Sequence, residues 1–404
     1  MKLTPYDEFP VHQAPHPFSY VPSTDYNWDD GYYWGVFDPA IGVVLAMGLR
    51  VNPNTDMIGG YAMLNDNGRQ FTARFSRCWR RDFSMTVGPF THTVIEPLKI
   101  LGLQMTPNDS GLSFDIRFEG TSPAYLEQHH LAESRGRRTT DQSRYSQAGV
   151  ADGIIKFGAK EYRVRRDTWT GARDHSSGLY TERPPLGPLK ALLPPREAAG
   201  PERAMHLWVP FQTPGFSGFL EHNEYADGTP CASGDVSSGA FNGQISAGWH
   251  GGPIHLAKMT HQFKYRPGTR ILKSALLDVL DVNGKRWQFD FQIAALPWVP
   301  HTFGYFPGSW KDGGTFHTYH GSEELAIEWD EIDCSTQPFR YVPYRVSGDA
   351  ARDGFGFGFE QNEPIIGLEY LSHLTITAPD GSIHKGGAQV EHWIKGPYAP
   401  YGFT

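Results

Sequence analysis

Three ionisable residues stand in a row, Arg173-Asp174-His175, inside the stretch DTWTGARDHSSG at 167–178. The run lies between Gly171 and Gly178 and follows strand-like sequence. A carboxyl shielded from water has its pKa raised and can hold its proton near neutrality, which suits a general acid. A neighbouring imidazole can accept or relay a proton. Protonating an alkene or a departing hydroxyl creates a cation that aromatic faces stabilise. The triplet therefore offers hydration, dehydration or isomerisation, with Asp174 as acid, His175 as partner base or orienter, and Arg173 as charge partner. The structural account of the same residues is a domain corner where Asp174 pairs with an arginine and His175 bonds a carbonyl. The residues alone leave both open. Strand parity adds a constraint. In an extended segment Trp169, Gly171, Arg173 and His175 share one side, and Ala172, Asp174 and Ser176 the other. Asp174 and His175 then face one cavity only if the backbone kinks, and Gly171 or Gly178 is where a bulge would fall.

Other residues carry weaker signals. Glu391-His392-Trp393 sets a carboxylate beside an imidazole at a strand end, as a pocket or a surface position. Tyr33, in the run Tyr32-Tyr33-Trp34, is assigned to substrate binding, although core packing explains such a run more simply. Trp169 and Tyr145 are assigned likewise, as are Trp249 and His250 in the Gly-rich GWHGGPIH. That Gly-rich run fits no nucleotide-binding pattern. The HTYH at 317–320 would bring His317 and His320 together only on a helix. No metal and no other cofactor is expected. In GFGFGFEQ, Phe355, Phe357 and Phe359 share a face that reads as packed core. The charged run from Glu323-Glu324 to Asp330-Glu331 reads as solvated.

These residues need strands to position them. Period-2 alternation is plain in GLSFDIRFEG, where Leu112, Phe114, Ile116 and Phe118 share a face, and in RWQFDFQI. Asn67-Gly68, Ser110-Gly111, Asp227-Gly228, Asn283-Gly284, Asp312-Gly313 and Asp380-Gly381 mark tight turns. Helical pattern is confined to two short candidates, around 124–132 and 186–193. The chain has 404 residues with 45 Gly, 31 Pro and 11 Trp, a turn-rich and aromatic composition that suits an all-β protein. Residues 182–203 are too rich in proline for a central strand. They predict a linker between a first β domain at 20–181 and a second at 204–404, after an N-terminal extension at 1–19. Each domain is expected to hide its sheet edges as an antiparallel barrel or sandwich. The net charge of −8 argues against a nucleic-acid or anionic-membrane binder. Cys78, Cys231 and Cys334 are widely separated and imply neither a disulfide framework nor a thiolate metal site. MKLTPYDEFPVHQ lacks a signal-peptide core and no stretch is long enough for a membrane helix, so a cytoplasmic protein without stable membrane insertion is expected.

The segment SRYSQAGVADGIIKFGAKEYRVRRDTWTGARDHSSG resembles a family of two-domain, lipocalin-like β proteins. Its members include carotenoid 1,2-hydratases (hydroxyneurosporene synthases) and fungal Diels-Alderase-type cyclases. The pattern is most similar to a branch without an assigned reaction, which carries Arg-Tyr-x-Gln, a Gly-rich hairpin, and then Arg-Asp-His-Ser-Trp-Gly. Here these are Arg144, Tyr145 and Gln147, then 152–158, then Arg173, Asp174, His175, Ser176 and Gly178, with Ser177 in place of the Trp. FSMTVGPFTHTVIEPLKILGLQMTPNDSGLSFDIRFEG, HQFKYRPGTR and GSWKDGG resemble the family in the same way. The resemblance implies two lipocalin-like domains packed side by side and a site near Asp174 and His175.

The leading expectation is a cofactor-independent lyase or isomerase acting on an apolar terpenoid or aromatic small molecule at the junction of the two domains. A non-catalytic carrier of a lipophilic ligand is a rival, since the fold alone does not decide function. A carbohydrate-active enzyme is another; it needs two carboxylates across a groove, and a closed apolar cavity with no second acid near Asp174 would exclude it. A homodimer is compatible with the sequence.

Overall fold

The computed structural model describes Glu8, Pro10 and residues 21–134, 136–180, 203–231, 241–305, 309–335, 340–342 and 367–404. Outside the described residues lie the N-terminal extension apart from Glu8 and Pro10, the proline-rich 182–203 apart from Arg203, the helix candidate at 186–193, and GFGFGFEQ. The first half contributes β1 (Trp28–Asp38), β2 (Val43–Asn52), β3 (Met57–Asp66), β4 (Arg69–Cys78), β5 (Thr86–Val87), β6 (Phe90–Glu96), β7 (Ile100–Met105), β8 (Leu112–Gly120), β9 (Tyr125–Leu126), β10 (His130–Ser134), β11 (Arg137–Phe157), β12 (Lys160–Val164) and β13 (Thr170–Leu179). The second half contributes β14 (Met205–Gln212), β15 (Ser217–Glu224), β16 (Phe241–Ser246), β17 (Ile254–Tyr265), β18 (Leu272–Asp281), β19 (Arg286–Ile293), β20 (Ala326–Asp333), β21 (Arg340–Val342), β22 (Glu369–Thr377) and β23 (Ile383–Ile394).

The protein is all-β and antiparallel, as the alternation and turn signals predict. One large sheet runs β21-β20-β4-β3-β2-β1-β13-β11-β8-β7-β6-β5 and curls until β5 contacts β3 and β4. Beside it stands a closed barrel, β14-β15-β16-β17-β18-β19-β22-β23. The alternating residues behave as their spacing requires. Leu112, Phe114, Ile116 and Phe118 of β8 are buried in the curled sheet, and Trp287, Phe289 and Phe291 of β19 in the barrel. The glycines of all six anticipated turns have positive φ, as at Gly68 (φ 95°). Among the described residues no helix is long and apolar enough to cross a membrane.

Two expectations change. Residues 124–132 do not form a helix; β9 and the start of β10 lie there and pair with the 21-residue β11. That long strand offers backbone donors and acceptors along its edge, and nearby chain satisfies them. The acidic run ending at Glu331 is not wholly solvated either. β20 pairs with β4, and Asp330 is buried against the fully buried Arg74 (Nη1 to Oδ2 2.9 Å), which also bonds Glu328 (2.7 Å) and the Thr302 carbonyl (2.8 Å). The chain reaching β20 is fastened on its way: Gln70 donates to the Val299 carbonyl (2.7 Å) and accepts from its N–H (2.9 Å). Thus β20 and β21 complete the curled sheet although their sequence lies between barrel strands.

The curled sheet encloses a polar group as well as apolar core. Arg173 is fully buried and grips both carboxylate oxygens of Glu8, at 2.6 and 2.9 Å, while Nε donates to Gln147 (2.8 Å). Removing one partner of a buried ion pair strands the other charge without water. Glu8→Ala is therefore expected to lower the unfolding free energy by about 3–5 kcal/mol, read from urea unfolding. A wild-type denaturation midpoint in that variant would contradict the pairing.

Candidate active site at the junction of sheet and barrel

The register of β13 is continuous with β1 on one side and with β11 on the other from Thr170 to Leu179. No kink intervenes, so parity holds through the triplet. Arg173 and His175 point into the curled sheet. There His175 Nε2 lies 2.7 Å from Asp30 Oδ1, Nδ1 lies 3.2 Å from the Tyr145 hydroxyl, and the ring stacks on Tyr32 (centroids 4.1 Å). Asp174 points out of the opposite face, toward the barrel. The expectation that His175 and Arg173 act beside Asp174 is corrected on this point: Arg173 has Glu8 as its charge partner, and His175 is held on the far side of the strand.

Register then places the neighbours of Asp174. Tyr33, Asp174, Ser146 and Tyr125 form one row across β1, β13, β11 and β9. The next row on the same face carries Arg50, Gly31, Ser176 and Arg144. Two guanidiniums thus sit diagonally from one carboxyl. Arg50 also bonds Asp29 (2.7 Å). The barrel presents a matching row from its outer wall: Asn242, Glu221, Trp208, Glu391 and Glu369 are consecutive cross-strand neighbours on β16, β15, β14, β23 and β22. Contacts stitch the two rows together. Gln389 donates to the Tyr33 hydroxyl (2.6 Å) and to Glu369. Trp208 meets Tyr33 edge-on (6.4 Å) and its Nε1 points to Glu127 (3.4 Å), which also accepts from Ser146. Tyr125 bonds Asn242.

Five carboxyls, Asp174, Glu127, Glu221, Glu369 and Glu391, therefore meet in one buried region, and the environments of all but Glu221 drive them apart. Burial raises Asp174, against the pull of Arg144 and Arg50, and its Oδ1 has no hydrogen-bond partner among the described residues. Burial and the adjacent Glu391 charge push Glu369 well above the carboxylate range. Burial would also raise Glu391, but His206 (Nε2 3.8 Å) and the Trp393 N–H (3.3 Å) outweigh it and hold Glu391 below that range. Burial, only partly offset by Arg144, pushes Glu127 up to about 8. Asp174, Arg144 and Glu391 are only partly buried, so each keeps some accessible surface. These walls are polar, although the substrate expected at the junction is apolar. Opposite protonation states on neighbouring carboxyls are the arrangement that acid–base catalysis requires.

Among the other residues singled out from sequence, Tyr33 and Glu391 join Asp174 at the junction. Tyr145 belongs to the Glu8–Arg173–His175 group, through its hydroxyl and Glu8 (3.1 Å). Trp169 is in the core of the curled sheet. Trp249 spans from the barrel to the Gly120 carbonyl (3.0 Å), and His250 is exposed. His320 bonds Asp312 and stacks on Trp310. Ser177, where the resembled branch has Trp, shares the parity of Arg173 and lies away from the junction. Sequence reasoning missed Glu127, Glu221, Glu369, Gln389 and Trp208. The one available signal was Trp208, a large aromatic at an outward-facing barrel position, which implies a covered wall.

A family model described as "Family of unknown function (DUF8625)" matches residues 3–361. The chain belongs to that family. No curated protein matches the sequence. Solved structures similar to it include kievitone hydratase from Nectria haematococca (TM-score 0.40), CghA with Sch210972 (0.43) and CghA alone (0.41). Each is 8% identical over 91% of this chain and 89% of the other. At TM-scores this low the likeness decides neither fold nor chemistry.

Glu127 ties the site to stability. Unfolded, its carboxyl loses its proton near pH 4 (about 4.3); folded, it does so near 8. The associated stability is full below the lower value and is lost as pH rises toward the upper one. Glu127→Gln is expected to raise the melting temperature relative to wild type at pH 8, with little gain at pH 4. An offset of the same size at both pH values would count against a neutral Glu127.

Proposed function

We propose that this chain is an enzyme that moves protons on a small molecule held between the two facing rows, in a hydration, dehydration or isomerisation. The observation that carries this reading is the cross-strand pair Glu369 and Glu391. The first is held neutral and the second ionised, and both face Asp174. Glu369 supplies the proton to an alkene carbon or a departing hydroxyl, and Glu391 takes one from water or from a carbon acid. Tyr33 and Gln389 orient Glu369. Asp174, also raised, is a second acid within the same space. The face of Trp208 suits developing positive charge, and Arg144 with Arg50 suits a substrate oxygen carrying negative charge. The substrate class that fits is a terpenoid or aromatic body bearing hydroxyl or carbonyl groups: aromatic side chains meet the body, and the charged walls require polar groups.

Glycoside hydrolysis is the second reading. Several carboxyls lie near Asp174, two of them in opposite protonation states, and such chemistry needs one carboxylic acid and one carboxylate.

The experiment is NMR of the protein in D₂O with panels of prenylated or aromatic alcohols and ketones, and of aryl glycosides. Deuterium incorporation or water addition in the first panel supports proton-transfer chemistry; glycoside cleavage alone supports the second reading. Asp174→Asn, Glu369→Gln and Glu391→Gln are each expected to lower kcat by about 10²–10⁴-fold. The pH–rate profile is expected to be bell-shaped. It rises as Glu391 ionises, below the usual carboxylate range, and falls as Glu369 loses its proton, well above it. Tight binding with neither exchange nor conversion would refute catalysis and leave a carrier.

A further inference from the structure

The inner face of the barrel wall holds a second constellation. β15 turns Glu221 toward the junction, and the alternate residues His222 and Glu224 into the barrel. Inside, His222 Nε2 lies 2.9 Å from Glu224 Oε1, and His261 Nε2 of β17 lies 2.9 Å from the same oxygen. β16, between those strands, pairs with β17 only through Gln244 and Ile245, so the three side chains converge past it. From this geometry we infer a binding site for a divalent first-row transition ion, zinc foremost, on His222, Glu224 and His261.

Three observations carry the inference. First, the donor atoms already stand at a ligand spacing. Two ligands about 2.1 Å from one ion, at tetrahedral or octahedral angles, are about 3.0–3.4 Å apart. The two 2.9 Å separations come close to this, and all three donor atoms lie within 4.8 Å of one another. Second, outer partners are in place. His261 Nδ1 is 2.8 Å from the Tyr401 hydroxyl, and Tyr398 bonds the other oxygen of Glu224. Metal-binding imidazoles and carboxylates are oriented by such contacts. With an ion on each Nε2, each neutral ring keeps its proton on Nδ1, where Tyr401 accepts that of His261. Third, the side chains of His222, Glu224 and His261 are almost closed off from solvent, which shields the three donors from competing water. Two imidazoles and a carboxylate favour zinc and its neighbours over magnesium or calcium, which take oxygen ligands. A fourth position is left for water. The ion would tie β15 to β17 and, through Tyr398 and Tyr401, to the turn at Ala399–Tyr401.

The test uses untagged full-length protein, stripped with a chelator, dialysed against zinc or cobalt(II) and analysed by elemental mass spectrometry and visible absorption. A single retained ion per chain, with cobalt bands of a nitrogen/oxygen site, is expected. His261→Gln and Glu224→Gln should lose it, while Glu391→Gln, on the outer wall, should keep it. Absence of retained metal in the wild type, or full retention in folded His261→Gln, overturns the site. Should either variant fail to fold, the wild-type cobalt spectrum decides alone: no bands, no site.

Discussion

Backbone hydrogen bonds on both sides of Thr170–Leu179 leave its side chains no choice of direction. A kink between Asp174 and His175 would break ladder bonds to β1 and to β11 together, each buried and without water to replace them. The two glycines that flank the triplet do not provide a kink there. Gly171 is small because the Phe118 ring lies against it, 2.6 Å from where a Cβ would stand. Gly178 has φ 137°, but only after the triplet has passed. So one three-residue run serves two places. Arg173 and His175 enter the curled sheet, where burial obliges them to find Glu8 and Asp30. Asp174 is sent to the barrel side, where no such partner stands among the described residues.

The junction then has to hold several carboxyls out of water. Ionising all of them would be prohibitive, since a buried charge survives only with a close counter-charge. The protein meets this by dividing their states. Glu391 takes the help of His206 and stays charged; Glu369, beside it, stays neutral; Glu127 keeps its proton until about pH 8. The positive side is shaped by backbone. Arg50 lies flat across Gly31, where a Cβ would stand 2.4 Å from its Cγ. Glycine at that point lets the guanidinium reach Asp29 while remaining close enough to act on Asp174. The unequal protonation at this junction thus follows from register, burial and one missing side chain.

Much of this framework could be read from the residues. Alternation in β8 and β19 gave the inward faces, Asn-Gly and Asp-Gly pairs gave the turns, and parity at 173–175 stated the condition that the structure resolves. What could not be read was which outer wall is covered. An outward-facing Glu221 or Glu369 looks like any solvated strand residue until another sheet is laid over it, and that pairing is set by contacts far apart in sequence, such as Gln389 with Tyr33. The same blindness applies to Asp330, which reads as part of a surface acidic run and is instead the partner of Arg74. Glu391 and Tyr33 were accessible to sequence reasoning because each sits beside other unusual residues; Glu127 and Glu369 have no such company.

The barrel strands beneath the junction carry polar groups on both faces. On β23, Glu391 faces out and His392 faces in. Burial drives the His392 imidazole down to about 3, so it stays neutral, with its ring nitrogens 2.9 Å from the His206 carbonyl and from the Tyr265 hydroxyl. On β15, Glu221 faces out and His222 with Glu224 face in. Successive residues on one strand cannot move independently, so a shift of the inner polar group displaces the carboxyls of the outer row. Such a wall is costly, because apolar residues inside would pack more simply. Inner polar groups bonded across β15, β17 and the C-terminal turn supply what an apolar lining does not: fixed directions for the backbone from which the junction carboxyls project. A site that depends on unequal protonation of neighbouring acids needs that precision, since a wider separation would weaken the coupling between them.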